Sequence, residues 1–125
     1  MKPLKNKKNK EIGQEGEAIA RQFLLKKGYQ IIKENWQFKH KEIDLIALKD
    51  QCLTIIEVKT RQGFYDNPNT AVPKQKQKDL ISAANAFSKF FDDFEEIRFD
   101  IVYITFVNPQ KYFIDHIEDA FYPTY

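Results

Sequence analysis

The chain has 125 residues, with 20 Lys+Arg against 18 Asp+Glu and a formal charge of +2; that length suits one domain. One cysteine and two histidines exclude an internal disulfide and a Cys/His metal cluster. No run approaches the roughly eighteen apolar residues of a membrane span, and the basic start has no apolar stretch behind it, so no secretory signal is expected and the cytoplasm is the default compartment.

Residues 1–10 carry five lysines and no acid, and the first nine or so are expected to form a disordered basic tail. From about Asn9 to Lys27 the pattern is helical: at 100° per residue Ile12, Gly16, Ile19, Ala20, Phe23 and Leu24 fall within an arc of about 140°. Gly28 is a natural stop. Tyr29–Trp36 reads as a strand, followed by a polar turn through Lys39, His40 and Lys41. Glu42–Lys49 and Cys52–Lys59 are β-rich runs separated by Asp50-Gln51, which makes a hairpin, although Asp-Gln is a poorer turn dipeptide than Asp-Gly. Residues 60–72 hold Gly63, Asp66, Asn67, Pro68 and Asn69 and read as a loop. Pro73 suits the first position of a second helix running to about Phe91, with Leu80, Ala83, Ala84, Phe87, Phe90 and Phe91 on its apolar arc. Arg98–Phe106 is a nearly continuous buried strand, and Tyr112–Ile117 is an edge-strand candidate. The order α-β-β-β-α-β-(β), with no linker that would split residues 10–125, predicts one α/β domain built on a mixed sheet of four to five strands.

The informative segment is the hairpin. With Asp50-Gln51 as a two-residue loop, Ile43, Leu45 and Ala47 share one face with Thr54, Ile56 and Val58. The other face holds Leu48 opposite Leu53, Ile46 opposite Ile55, Asp44 opposite Glu57 and Glu42 opposite Lys59. Both faces are apolar near the turn, as in strands buried on both sides. At one end of one face, three carboxylates and a lysine replace the apolar residues. Like charges directly opposite each other destabilise a sheet, and burying them adds to the cost unless something neutralises them. Lys59 is one neutraliser and a divalent cation another. Oxygen-only ligation suits Mg²⁺ or Mn²⁺, which accept phosphate oxygens as further ligands. Asp44 and Glu57 holding such an ion, with Lys59 orienting or deprotonating a water, is an arrangement for phosphodiester hydrolysis. The competing reading is a Glu42–Lys59 surface pair beside two solvated acids.

Asp44 followed thirteen residues later by Glu57-Val58-Lys59 resembles the PD-(D/E)XK nuclease core. More widely, GQEGEAIARQFLLKKGYQIIKEN, EIDLIALKDQCLTIIEVKTR, AVPKQKQKDLISAANAF and RFDIVYI are similar, in that order, to the YraN-like bacterial family. The resemblance covers roughly residues 11–106. It implies a restriction-endonuclease-like fold, related to Holliday-junction resolvases, and a metal-dependent endonuclease acting on DNA, branched or damaged DNA included. Lys41 stands where the family usually has glycine. The resemblance makes Glu17 a third metal-site carboxylate; by its own position Glu17 lies at the border of the apolar arc, where it either reaches inward or stays solvated. Lys76 lies within the second helix's apolar arc in its first turn. It either snorkels over apolar surface or, with Gln77, contacts the scissile phosphate or the attacking water. Lys41, Arg61, Lys74 and Lys76 are the candidate nucleic-acid contacts. Phe64 and Tyr65 either stack on bases or anchor their loop. Resolution of a four-way junction takes two active sites, hence a homodimer. A non-catalytic nucleic-acid-binding module and a protein-interaction domain retaining only the fold are the alternative functions.

Charge is unevenly spread. Residues 39–78 hold 8 basic and 5 acidic groups, or +3, whereas residues 92–125 hold 2 basic and 8 acidic, or −6. Such a molecule is polarised and would meet a polyanion on one side.

Overall fold

The computed structural model describes residues 9–63 and 72–123, whose elements are α1 (Asn9–Lys26), β1 (Gln30–Phe38), β2 (Lys41–Lys49), β3 (Cys52–Gln62), α2 (Lys74–Phe87), β4 (Glu96–Asn108) and β5 (Lys111–Phe121). Five strands form one mixed sheet in the order β1-β2-β3-β4-β5. β3 and β4 run parallel and the other neighbours antiparallel, and the parallel step is the one that needs a crossover, supplied by α2. This is the α/β order expected of a restriction-endonuclease-like domain. Apart from Asn9, which opens α1, the expected basic tail lies outside the described residues, as does most of the expected loop, including Phe64 and Tyr65.

Both faces of the sheet are covered. Ile12, Ala20 and Leu24 of α1 pack on Leu45, Ala47, Ile56, Val102 and Ile104. Leu80, Ala83, Ala84 and Phe87 of α2 pack on Ile46, Leu53, Ile55, Phe99 and Ile101. The central strands are therefore apolar towards both sides, which is why their sequences read as nearly continuous hydrophobic runs. α1 ends as its sequence predicts. Gly28 takes φ +94° and its N–H bonds the Leu25 carbonyl, while the Tyr29 N–H bonds that of Leu24, closing a Schellman cap with Leu24 and Tyr29 both buried. In the β2–β3 turn Asp50 and Gln51 both take positive φ, 51° and 64°, so the two-residue loop forms in the twist that hairpins favour despite its unusual residues.

β1, β4 and β5 run a few residues further than expected, and β3 and α2 differ in ways that bear on the site. β3 continues to Gln62 because Thr60, Arg61 and Gln62 remain paired with Ile104, Thr105 and Phe106; polar residues there carry no apolar signal, but the parallel ladder does not need one. α2 is a turn shorter than predicted. Pro73 stands before it as N-cap rather than inside it, and the chain leaves the helix after Phe87. Ser88 Oγ bonds the Asn85 carbonyl at 2.7 Å. Phe90 is consequently 82% exposed, whereas Phe91 still stacks on Phe87.

One buried polar network lies on the α1 side of the sheet. The Asp100 side chain is fully buried and accepts hydrogen bonds from Arg98 Nε at 2.9 Å and Nη2 at 3.0 Å, and from the Asp119 N–H at 3.0 Å. His116 Nε2 lies 2.7 Å from Asp100 Oδ2 and its Nδ1 2.7 Å from Lys27 Nζ. Arg98 also donates to the Tyr29 hydroxyl at 2.7 Å. Burial pushes the Asp100 carboxyl up, but the bonds from His116, Arg98 and Asp119 outweigh it and hold the group below its ordinary range. The network ties the C-terminal end of α1 to β4 and β5. Removing its acceptor leaves a guanidinium without its charge partner, so Asp100→Ala is expected to lower unfolding free energy by about 3 kcal/mol. Tyr29→Phe removes one hydrogen bond and should cost about 1 kcal/mol. Urea denaturation checks both, and equal small losses would mean that the network does not hold the helix end.

Candidate active site

The β2–β3 ladder follows the expected register from Lys49–Cys52 to Leu45–Ile56. It stops there, one residue short of Asp44 and Glu57. Instead of a main-chain partner, the Val58 N–H has the Asp44 side chain, donating to Oδ2 at 2.8 Å. The break reaches β1 as well: Asn35, flanked by the pairs Glu34–Leu45 and Trp36–Ile43, takes φ 49°, a conformation Asn tolerates better than most residues. Strand alternation is lost at this point. Ile43 and Ile46, three residues apart, both pack in the α2-side core, so Ile43 does not share a face with Leu45 as the simple hairpin predicts.

The carboxylates therefore do not sit side by side on one face. Asp44 lines a hollow of about 260 Å³ on the α1 side with Ile12, Gly13, Glu17, Val58 and Thr60. Glu57, 8% exposed, lies 3.7 Å from Lys76 Nζ of α2. Where the strands part, the Asp44 and Glu57 side chains are in hydrogen-bonding contact. Burial, then the Asp44 charge and that hydrogen bond, push the Glu57 carboxyl up to about 8, with Lys76 and Lys59 pulling the other way. Glu17 is pushed up to about 7 by burial first, then by Asp44, Glu42 and Glu34. Acids on α1, β1, β2 and β3 thus act on one another's charge near the end of a buried strand pair.

Glu17 reaches the hollow because α1 lies very close to β3. A Cβ at position 16 would collide with Thr60 Oγ1, so Gly16 is what lets the helix approach there. Asn35, which the sequence reading passed over, completes the group. Its amide nitrogen, turned towards the acids, donates to Glu17 Oε1 at 2.8 Å and Glu42 Oε1 at 3.1 Å. An Asn in the middle of an otherwise β-rich run was the available signal, since strands are depleted in it.

The remaining candidates divide. Lys59 acts on Glu57 by its charge, and Lys76 by an ion pair; the lysine on the apolar arc of α2 thus reaches an acid rather than only covering apolar surface. Gln77 is spent elsewhere: its Nε2 donates to the Val72 carbonyl at 2.9 Å, fastening the approach to α2. Lys41 donates to Ser82 Oγ at 3.1 Å and so ties β2 to α2. The Arg61 guanidinium lies 4.2 Å from the Tyr103 ring centre, and its buried Nε has no hydrogen-bond partner among the described residues. Lys74, in the first turn of α2, is exposed.

Asp44 and Glu57 offer oxygen atoms only, a donor set suited to a hard divalent cation, and their mutual contact leaves negative charge that such an ion would offset. Among the described residues no three Asp, Glu, His or Cys side chains converge as a metal-binding group. Glu17 is brought to the hollow of Asp44 but is not one of three converging ligands.

Fold and site together define a restriction-endonuclease-like α/β domain with a carboxylate–lysine cluster where its second and third strands part. Comparison with known sequences gives the family: the model of "Uncharacterised protein family UPF0102" matches residues 16–104, and the chain belongs to this YraN-like family. A UPF0102 protein of Parabacteroides distasonis is 43% identical over 114 residues, covering 90% of this chain and 93% of its own. One from Natranaerobius thermophilus is 45% identical over 117 residues, covering 90% and 98%, and one from Flavobacterium johnsoniae 40% over 117 residues, covering 90% and 94%. The matched segment contains Glu17, Asp44, Glu57, Lys59 and Lys76. No helix among the described residues is long and apolar enough to cross a membrane.

The raised Glu57 carboxyl has a thermodynamic consequence. The folded state keeps a proton up to about pH 8 that the unfolded chain gives up near 4.5. Stability from that proton is present below the unfolded value and is lost as pH rises through the folded one. In metal-free buffer the melting temperature of the protein should therefore fall relative to Glu57→Gln between about pH 5 and 8. Parallel melting profiles of the two proteins over that range would show that Glu57 does not hold the proton.

Proposed function

We propose that the chain is a divalent-metal-dependent endonuclease that hydrolyses DNA phosphodiester bonds in the cytoplasm, with branched or damaged DNA as the substrates to which the resolvase resemblance points. The observation that carries this reading is the contact between the Asp44 and Glu57 carboxylates with Lys59 and Lys76 beside them. A Mg²⁺ or Mn²⁺ ion held by these two carboxylates would supply charge stabilisation for the phosphoryl group and a more acidic water. The chain's own groups do the rest. The Val58 N–H fixes one oxygen of Asp44, and Asn35 fixes Glu17 at the rim. Lys59 offsets negative charge on the phosphoryl oxygens and orients the water. Lys76 exchanges its pairing with Glu57 for the phosphate as substrate enters. Glu17, with its carboxyl raised to about 7, is placed to exchange a proton at the edge of the hollow. Cutting a four-way junction in two places would take two such sites, and hence a homodimer.

Calorimetric titration with Mn²⁺ and Mg²⁺ tests the metal reading: binding to the wild type is expected, with its loss in both Asp44→Asn and Glu57→Gln. Unchanged binding by the two variants would refute it. For the reaction, single-stranded, duplex, flap and four-way-junction DNA are incubated with protein and Mn²⁺. Lys59→Ala is expected to slow cleavage by about a hundredfold or more, the scale for removing one group that stabilises transition-state charge. Tight, metal-independent DNA binding without cleavage would instead favour the non-catalytic module.

A further inference from the structure

A second feature begins at the same turn of α2 and leads away from the acids. An open groove of about 470 Å³ runs between α2, the β1–β2 turn and the residues after β5. Lys39, Lys74, Lys78 and Lys89 line it, and among the described residues no acidic one does. All four lysines are exposed, and no ion pair between described residues engages them. The acid of α2, Asp79, is turned to Gln75, whose Nε2 donates to it at 3.0 Å. Tyr122, 68% exposed, stands at the groove's edge.

We propose that this groove carries the sugar-phosphate backbone of the nucleic acid away from the carboxylate cluster. The inference takes its partner from the endonuclease reading but assigns a surface that the cluster does not include. Position supports it: Lys74 and Lys78 present the groove on one side of the first turns of α2, and Lys76 reaches Glu57 from the other side of the same turn. Length supports it too. The 14 residues of α2 rise about 20 Å, which at roughly 3.4 Å per nucleotide spans about six nucleotides of B-form strand. Lysines bind phosphates as point charges and read no sequence. An exposed tyrosine gives an unpaired base a stacking surface without sequence preference. A protein partner with acidic side chains would satisfy the lysines but has no use for a path that starts at a phosphodiester site.

The test uses the full chain in EDTA, so that binding is read without turnover. Fluorescein-labelled 20-nucleotide single-stranded and 20-base-pair duplex probes are titrated by anisotropy across a range of KCl concentrations. The triple variant Lys39→Gln, Lys78→Gln, Lys89→Gln is compared with Lys26→Gln, Lys33→Gln, Lys111→Gln, which removes the same charge from exposed positions on other surfaces. The groove variant is expected to lower the slope of log K against log [KCl] by about one per lysine, hence about three, while the control set leaves it unchanged. Equal loss in both sets would overturn the proposal, as would no measurable binding by the wild type, or displacement of the probe by polyglutamate as readily as by unlabelled DNA. Asp44→Asn separates the two readings. Groove-dependent binding that persists in this variant, and in a wild type that never cleaves, supports the groove while the hydrolytic reading fails.

Discussion

The site depends on one substitution of hydrogen-bond partners: the Asp44 carboxylate accepts the Val58 N–H at the point where the β2–β3 ladder ends. A continued ladder would have satisfied that N–H with a main-chain carbonyl and left Asp44 and Glu57 side by side on a closed surface. With a side chain in that role the strands part, and carboxylates approaching from the two sides of the sheet meet in the gap. The N–H is not orphaned, so the opening avoids the cost of an unpaired buried donor. What it does cost is electrostatic: both Glu57 and Glu17 hold their protons well above the usual carboxylate range.

Holding repelling groups in place calls for rigid supports, and these lie at the middle and the C-terminal end of α1 and at the start of α2. Gly16 seats the helix against Thr60, one residue before Glu17. About ten residues on, roughly 15 Å along the helix, Lys27 joins the Asp100–His116–Arg98 network. Pinned at two points, α1 has little freedom to swing Glu17 away from Asp44. On the other face, the Gln77 bond to the Val72 carbonyl and the Lys41 bond to Ser82 fix the first turns of α2, and with them Lys76. Two of the residues read from sequence as substrate contacts are thus positioning groups in the protein alone.

Much of this was legible beforehand because it rests on local signals. Strong periodicity located both helices, doubly buried runs located β3 and β4, and the two-residue loop fixed the register as far as Leu45–Ile56. The ladder's end was not legible. An alternating reading carries Asp44 onto Glu57 by arithmetic, and nothing in EIDLIALK marks the loss of alternation at Asp44. Its counterpart on the neighbouring strand is Asn35 at positive φ, and pairing between β1 and β2 has to be known before that residue matters. The Asp100 network was hidden for a similar reason. Arg98, Asp100, His116, Tyr29 and Lys27 are scattered over ninety residues and converge only in three dimensions, and His116 taken alone looks like any surface histidine on an edge strand.

The charge pattern links the cluster to the groove beside α2. Under the proposed function an approaching phosphodiester would meet Asp44 and Glu57, with Glu17 and Glu42 adding charge nearby, and unscreened carboxylates would repel it. Lys76 and Lys59 cannot reverse this alone, since the acids of the cluster outnumber them. Protonation lowers the repulsion only by removing the donors that a cation would use. An ion at the carboxylates and the lysines of the groove would solve different parts of the problem. The ion would offset charge where the bond is to break, and the proposed groove would hold neighbouring phosphates whose binding does not depend on the acids. Separating the two would let backbone affinity be set by Lys39, Lys74, Lys78 and Lys89 while the cluster stays acidic enough to bind metal, which a uniformly basic surface around Asp44 would oppose.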